Sequence, residues 1–400
     1  MPPDGQSTGL IAPAPMLAEP PLGLYVHMPW CLAKCPYCDF NSHGLRGELP
    51  HERYTAALIR DLERAAGPLR GRELATVFFG GGTPSLFPAE SVARVLTAAR
   101  RLLATDASLE VTLEANPGGM EIGDLASFRD AGVTRISLGV QSFDARALRV
   151  LGRIHGPDEA RAAARAVSAA GLERLNLDLM YALPGQSAEE AVADVEAAVV
   201  LAPEHISQYQ LTLEPNTLFH ARPPELPDED SAAAMQEATA EALAAAGYVR
   251  YEVSAWARPG AECRHNLNYW RYGDYLGVGA GAHGKITRTE EGRILRTRNF
   301  RHPDAYMQAG DPLEELTEVA PRDRVFEFML NVLRLADGFD TALFESRTGM
   351  PAGVLAPALA RADDLGLVEA CGNAAWRPTL RGLQFLNDLQ ILFLPEATDS

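Results

Sequence analysis

The chain has only two lysines, Lys34 and Lys285, and its 36 basic residues face 53 acidic ones, for a formal net charge of -17. The clustered cations that neutralise phosphate backbones are missing, so a nucleic acid partner is not expected. Cysteine is scarce as well: five in 400 residues, three of them crowded between positions 31 and 38, with Cys263 and Cys371 standing alone. A secreted disulfide framework would spread pairs along the chain; this pattern fits a reducing cytoplasm. No uncharged apolar run approaches the roughly 18 residues of a spanning helix, which leaves only peripheral contact with a membrane. The first 20 residues lack the basic n-region of a signal peptide and the arginines of a transit peptide, and read as a flexible tail.

What is present is ordinary globular material, 47% hydrophobic and 22% charged, in a length that suits two domains or one large domain with an appendage. From Leu22 onward, β-branched or aromatic runs alternate with alanine-rich amphipathic segments at the period of βα units. The strand candidates are "LGLYVHM", "ATVFFGG", "LEVTLEANP", "RISLGVQSF", "RLNLDLMYALPG" and "HISQYQLTLEP". Helices are expected near 52–66, 88–104, 121–131, 157–170, 187–201 and 230–246. Several strands end in polar or glycine-rich residues, and in a barrel or open parallel sheet those carboxyl ends share one face and carry the site. Beyond about residue 300 the rhythm turns helical, with a two-stranded wing near Gly366. The expected organisation is a tail over 1–20, a barrel domain over 21–298, a small winged-helix-like domain over 299–393 and a tail over 394–400. A winged helix commonly binds DNA, but the acidic residues here weigh against that use.

The three clustered thiols lie in "CLAKCPYC", at Cys31, Cys35 and Cys38. A structural zinc would need a fourth ligand such as His27 or His43. A thioredoxin-like pair would use Cys35 and Cys38 and leave Cys31 without a role. A cubane iron-sulfur cluster held by three thiolates keeps one iron open for an outside ligand.

The CxxxCxxC spacing, placed after the first strand of a βα series, resembles the cluster loop of the radical S-adenosylmethionine superfamily. The resemblance implies a partial (β/α) barrel and a 4Fe-4S cluster. Its open iron would take the amino and carboxylate groups of S-adenosylmethionine, and its electron would generate an adenosyl radical. Tyr37 and Phe40 would shelter the cluster. "FFGGGTPS" lacks the ending of a P-loop and resembles the superfamily's glycine motif, which brings backbone groups of Gly81, Gly82 and Thr83 to the methionine end of the cofactor. Glu114, Gln141, Arg153 and Asp178, at or just beyond successive strand ends, resemble further cofactor contacts, as do Tyr25, Tyr37 and Thr212.

Together, "YVHMPWC", "CPYCDFNSH", "GGGTPS", "LEANP", "ISLGVQSF", "LGRIHG", "NLDLMYALPGQ", "YQLTLEPNT" and "HNLNYW" resemble the heme chaperone HemW family, relatives of oxygen-independent coproporphyrinogen III oxidase. The oxidase has a further cysteine two places after the third, where this chain has Phe40, and an ordered N-terminal segment in place of this Pro-rich tail. Both departures speak against decarboxylation of coproporphyrinogen, and no catalytic residue is assigned. The resemblance implies heme as a third cofactor, acceptor hemoproteins as partners, membrane-associated respiratory enzymes among them, and a homodimer. It carries heme binding onto His265, Asn266, Tyr269 and Trp270 of "HNLNYW". Cys263 and His283 compete as iron ligands, and Arg264 or Arg271 would pair with propionates.

Overall fold

The structure, a computed structural model, describes residues 16–118, 122–372 and 374–395. In chain order the strands are β1 (Leu22–Met28), β2 (Trp30–Cys31), β3 (His43–Gly44), β4 (Leu74–Gly81), β5 (Glu110–Ala115), β6 (Arg135–Gln141), β7 (Arg174–Tyr181), β8 (His205–Gln210), β9 (Val249–Glu252), β10 (Ala255–Ala257), β11 (Asp274–Val278), β12 (His283–Arg288), β13 (Arg293–Asn299), β14 (Leu313–Glu318), β15 (Phe339–Asp340), β16 (Val368–Ala370) and β17 (Ala375–Pro378). Twelve of them form one sheet in the order β14-β13-β12-β11-β1-β4-β5-β6-β7-β8-β10-β9. β1 and β4 to β8 run parallel in sequence order, each crossing to the next through a helix, while β11 lies parallel to β1 on its other side. The sheet is open, as a partial barrel requires.

The parallel strands are near-continuous apolar runs because helices cover one side and the barrel interior the other. Leu22, Leu24, Val26 and Met28 of β1 and Ile136, Leu138 and Val140 of β6 are all buried. The helix His51–Ala66 buries Tyr54, Leu58 and Leu62 at the i, i+4 spacing of an amphipathic helix. Helix starts are set by short polar side chains: Ser187 accepts from the Glu190 N–H while Glu190 reaches back, and Asp228 accepts from Ser231.

Three features differ from the sequence reading. The large sheet does not stop at residue 298; β14 runs to Glu318, and a second core built on Phe328, Phe344, Leu359 and Leu389 follows it. Residues 16–20 are not a free tail: Leu17 is buried in that second core, and the Ala18 N–H donates to the Ser346 carbonyl. Residues 1–15 and 396–400 of the expected tails lie outside the described residues. The wing has three strands, β15-β17-β16, because the two residues of β15 pair with β17. Among the described residues no helix is long and apolar enough to cross a membrane.

Candidate functional site

The loop after β1 is folded back on itself. β2 pairs with β3, which closes residues 31–43 into a compact turn, and Lys34 Nζ staples it by donating to the carbonyls of Phe40 and Ser42. Within it Cys31, Cys35 and Cys38 are all half-buried. Cys35 Sγ accepts from Arg153 Nη1 at 3.5 Å, Cys38 Sγ meets Ser42 Oγ at 3.6 Å, and burial pushes the Cys31 thiol up. All three cysteines line a cavity of about 390 Å3 at the carboxyl ends of the strands. Among the described residues, no three His, Cys, Asp or Glu side chains converge as they would on a single metal ion, the arrangement a structural zinc needs. Ligands to different irons of one cluster have no such requirement.

The same cavity collects Tyr37, Gly81, Gly82, Glu114, Gln141, Arg153, Asp178 and Thr212. Of the other cofactor candidates, Thr83 faces an adjoining cleft with Cys35 and Asn116, and Tyr25 faces a separate chamber of about 450 Å3 that shares Phe40, Gly81 and Glu114 with the first. Phe40 stands 61% exposed at the rim and shelters little. The glycine turn is dictated by close approach. A Cβ at Gly82 would come within 2.5 Å of the Trp30 carbonyl oxygen, and one at Gly81, where φ is +117°, within 2.5 Å of His27. The N–H groups of this turn are spent: Gly81 donates to Glu114, Gly82 to the Met28 carbonyl and Thr83 to the Trp30 carbonyl. What it has left for a ligand is carbonyl oxygen.

Around that turn sits a balanced set of charges. Burial, with help from Asp178, pushes the Glu114 carboxyl up to about 8. Asp178 is raised by burial too, although Ser137 and Asn176 donate to its two oxygens. Arg153 donates to Asn116 Oδ1, the Gly139 carbonyl and Cys35, and its Nε is buried without a partner among the described residues. Gln141 holds a left-handed φ of 69°, a strained position for a residue with a side chain. Asn116 was marked from sequence as a polar strand end beside Glu114, whereas Ser137 and Asn176 were not singled out; only their contacts reveal them.

The four heme candidates are not gathered on one surface. They belong to the helix Arg264–Trp270, which closes the amino-terminal end of the barrel. Its first N–H groups, from Arg264 and His265, donate to the Glu110 carboxylate. His265 is 2% exposed, with Nδ1 2.8 Å from Thr76 Oγ1, its ring stacked on Phe78, and Nε2 without a partner among the described residues. Burial holds its pKa down at about 3, so the ring is neutral. Tyr269 meets the edge of His265 and faces the chamber, Asn266 reaches the Tyr251 hydroxyl, and Trp270 packs beneath Arg334. Cys263 is buried, its sulfur 3.6 Å from Glu110, and burial pushes the thiol up to about 12. His283 is exposed at the chamber mouth.

Comparison with known proteins follows this geometry. The Radical SAM superfamily model matches residues 25–198, and the HemN C-terminal domain model matches residues 319–385. The chain is 49% identical to the heme chaperone HemW of Escherichia coli (strain K12), over 95% of this chain and all of that protein. It is 44% identical to the heme chaperone HemW of Haemophilus influenzae, over 94% of this chain and 99% of that one. Among solved structures, coproporphyrinogen III oxidase (HemN) from Escherichia coli, a radical SAM enzyme, superposes with a TM-score of 0.79 at 24% identity, covering 94% of this chain and 90% of that one. That last likeness speaks for the fold alone.

Proposed function

The chain belongs to the heme chaperone HemW family, and from that premise we propose that it binds heme, a 4Fe-4S cluster and S-adenosylmethionine, and passes heme to acceptor hemoproteins. The observation that carries the cofactor part is the single cavity onto which three half-buried cysteines and the charged strand ends open together. Cys31, Cys35 and Cys38 would hold the cluster, whose chemistry when bound is the supply of one electron. The residues around it sort the cofactor's polar groups. A turn with only carbonyl oxygens to offer, next to the Glu114 carboxyl, suits an ammonium; the unpartnered Nε of Arg153 suits a carboxylate; Asp178 suits hydroxyls. Arg153 and Ser42, already against two of the sulfurs, would tune a cluster through hydrogen bonds.

Heme enters through the family and through His265, a neutral buried imidazole with a free nitrogen at the amino-terminal end of the barrel. An oxidase acting on coproporphyrinogen III would need the chamber beside the cofactor cavity as its substrate site. One anaerobic experiment separates the two activities: reconstituted protein with S-adenosylmethionine, reductant and coproporphyrinogen III is expected to yield no protoporphyrinogen, and turnover to that product would make the protein an oxidase. For the cofactor assignment, Cys35→Ala should lose the visible absorption of the cluster. A four-iron spectrum that survives the substitution would sink it.

A further inference from the structure

At the opposite ends of the strands from the cysteine loop, a cavity of about 670 Å3 lies between the sheet, the helix Arg264–Trp270 and the C-terminal domain. Its walls are of two kinds. Leu267, Phe339 and Leu343 give it apolar surface, and beside Arg264, whose Nη1 donates to the Ser108 carbonyl, Arg271 and Arg347 bring two further cations. Neither guanidinium makes an ion pair or side-chain hydrogen bond among the described residues, and Arg347 Nε is buried without a partner. The two cations also face each other closely enough to interact: burial lowers the Arg347 pKa, Asp274 works against this, and Arg271 adds to it. Of the carboxylates lining the cavity, Asp340 is committed to capping the helix Thr341–Thr348, where it accepts from Leu343 N. The other is Asp337. Arg347 is half-buried and Arg271 exposed, and two guanidinium groups this close repel each other and are favoured by an anion that bridges them.

We infer that this inter-domain cavity binds an amphipathic dicarboxylate of the porphyrin class, its two carboxylates on Arg271 and Arg347 and its ring on Leu267, Phe339 and Leu343. The inference rests on the heme-binding reading and names where the ligand lies. A pocket with apolar walls and a few charged groups at one side is the form such a ligand requires. Among the described residues no His, Cys, Met or Tyr lines the cavity, so recognition runs through the carboxylates and the ring, with His265 standing behind Thr76 in the wall.

The test titrates the full chain with heme, with iron-free protoporphyrin IX and with its dimethyl ester, following fluorescence quenching or the Soret band. Wild-type protein is expected to bind heme and protoporphyrin IX alike and the ester at least tenfold more weakly. Arg271→Gln and Arg347→Gln should each weaken protoporphyrin IX binding by roughly tenfold, the scale of one lost charge-assisted hydrogen bond, and leave the ester unaffected. Cluster loading, which reads the far end of the barrel, serves as the folding control; if Arg347→Gln fails it, the exposed Arg271→Gln carries the test alone. Heme binding that both variants retain at wild-type strength overturns the site while leaving the heme reading intact, as does a protein that binds heme and ignores protoporphyrin IX. A chain that binds none of the three overturns both.

Discussion

Glu114 is the residue whose charge state the fold most plainly controls. With its carboxyl raised to about 8 by burial and by Asp178, it is protonated at neutral pH. The sign follows: a raised folded pKa gives stability that is fully present below the unfolded value of about 4.3 and is lost as pH rises through about 8. Pairing with a ligand ammonium reverses this by favouring the carboxylate, so S-adenosylmethionine binding at pH 7 should release close to one proton. Calorimetry in buffers of different ionisation enthalpy would read it, and Glu114→Gln should abolish the release. Gly82 is the second sensitive position. A Cβ there meets the Trp30 carbonyl, backbone that cannot swing aside, and Gly82→Ala should cost about 1–3 kcal/mol and reduce cluster loading, as denaturant melts and iron content would show. Cys31 was legible from the spacing of the three thiols, and Gly81 and Arg153 were legible from the resemblance of their motifs to a known family. Asn176 and Ser137 were not, because a polar residue inside a strand looks like any other until Asp178 is seen between them.

At the scale of elements, the six expected helices and the starts of the parallel strands were readable to within about two residues, since each is a long run with one clear period, while the candidate runs for β7 and β8 overshot Tyr181 and Gln210 into the site loops. The antiparallel strands β12 to β14 were missed for a physical reason. "HGKITR", "RILRTRN" and "LEELTE" are short and charged, and their stability comes from cross-strand pairs such as Arg298 with Glu315 and Arg293 with Glu318, which only the register creates. That same charge protects the exposed edge at β14 from pairing with another chain. β11 is pinned to its neighbours by Asp274, whose buried carboxylate accepts from Arg72, Lys285, the Thr287 hydroxyl and the Thr287 N–H. Asp274→Ala strands two cations in the interior and should lower stability by about 3–5 kcal/mol in urea unfolding, more than any single surface ion pair removed in the same way.

At the scale of the molecule, the two cores are tied together by the segment before β1. Leu17 lies in the C-terminal core, and the Pro20 carbonyl accepts from Arg72 at the base of the barrel. Leu17→Ala should cost about 2 kcal/mol, and a calorimetric scan should show the C-terminal transition shifting to lower temperature ahead of the barrel. A proline-rich stretch with one leucine carries no periodicity, which is why this contact was invisible in sequence. The placement of β1 has a further consequence. Its two partners are β4 and, on the other side, β11, which ends at Val278. The ribosome therefore delivers the cysteine loop long before it delivers the strand that completes the loop's seat, and pairing across so much chain is slow. Cys31, Cys35 and Cys38 thus emerge without that side of their seat while most of the protein is still being made.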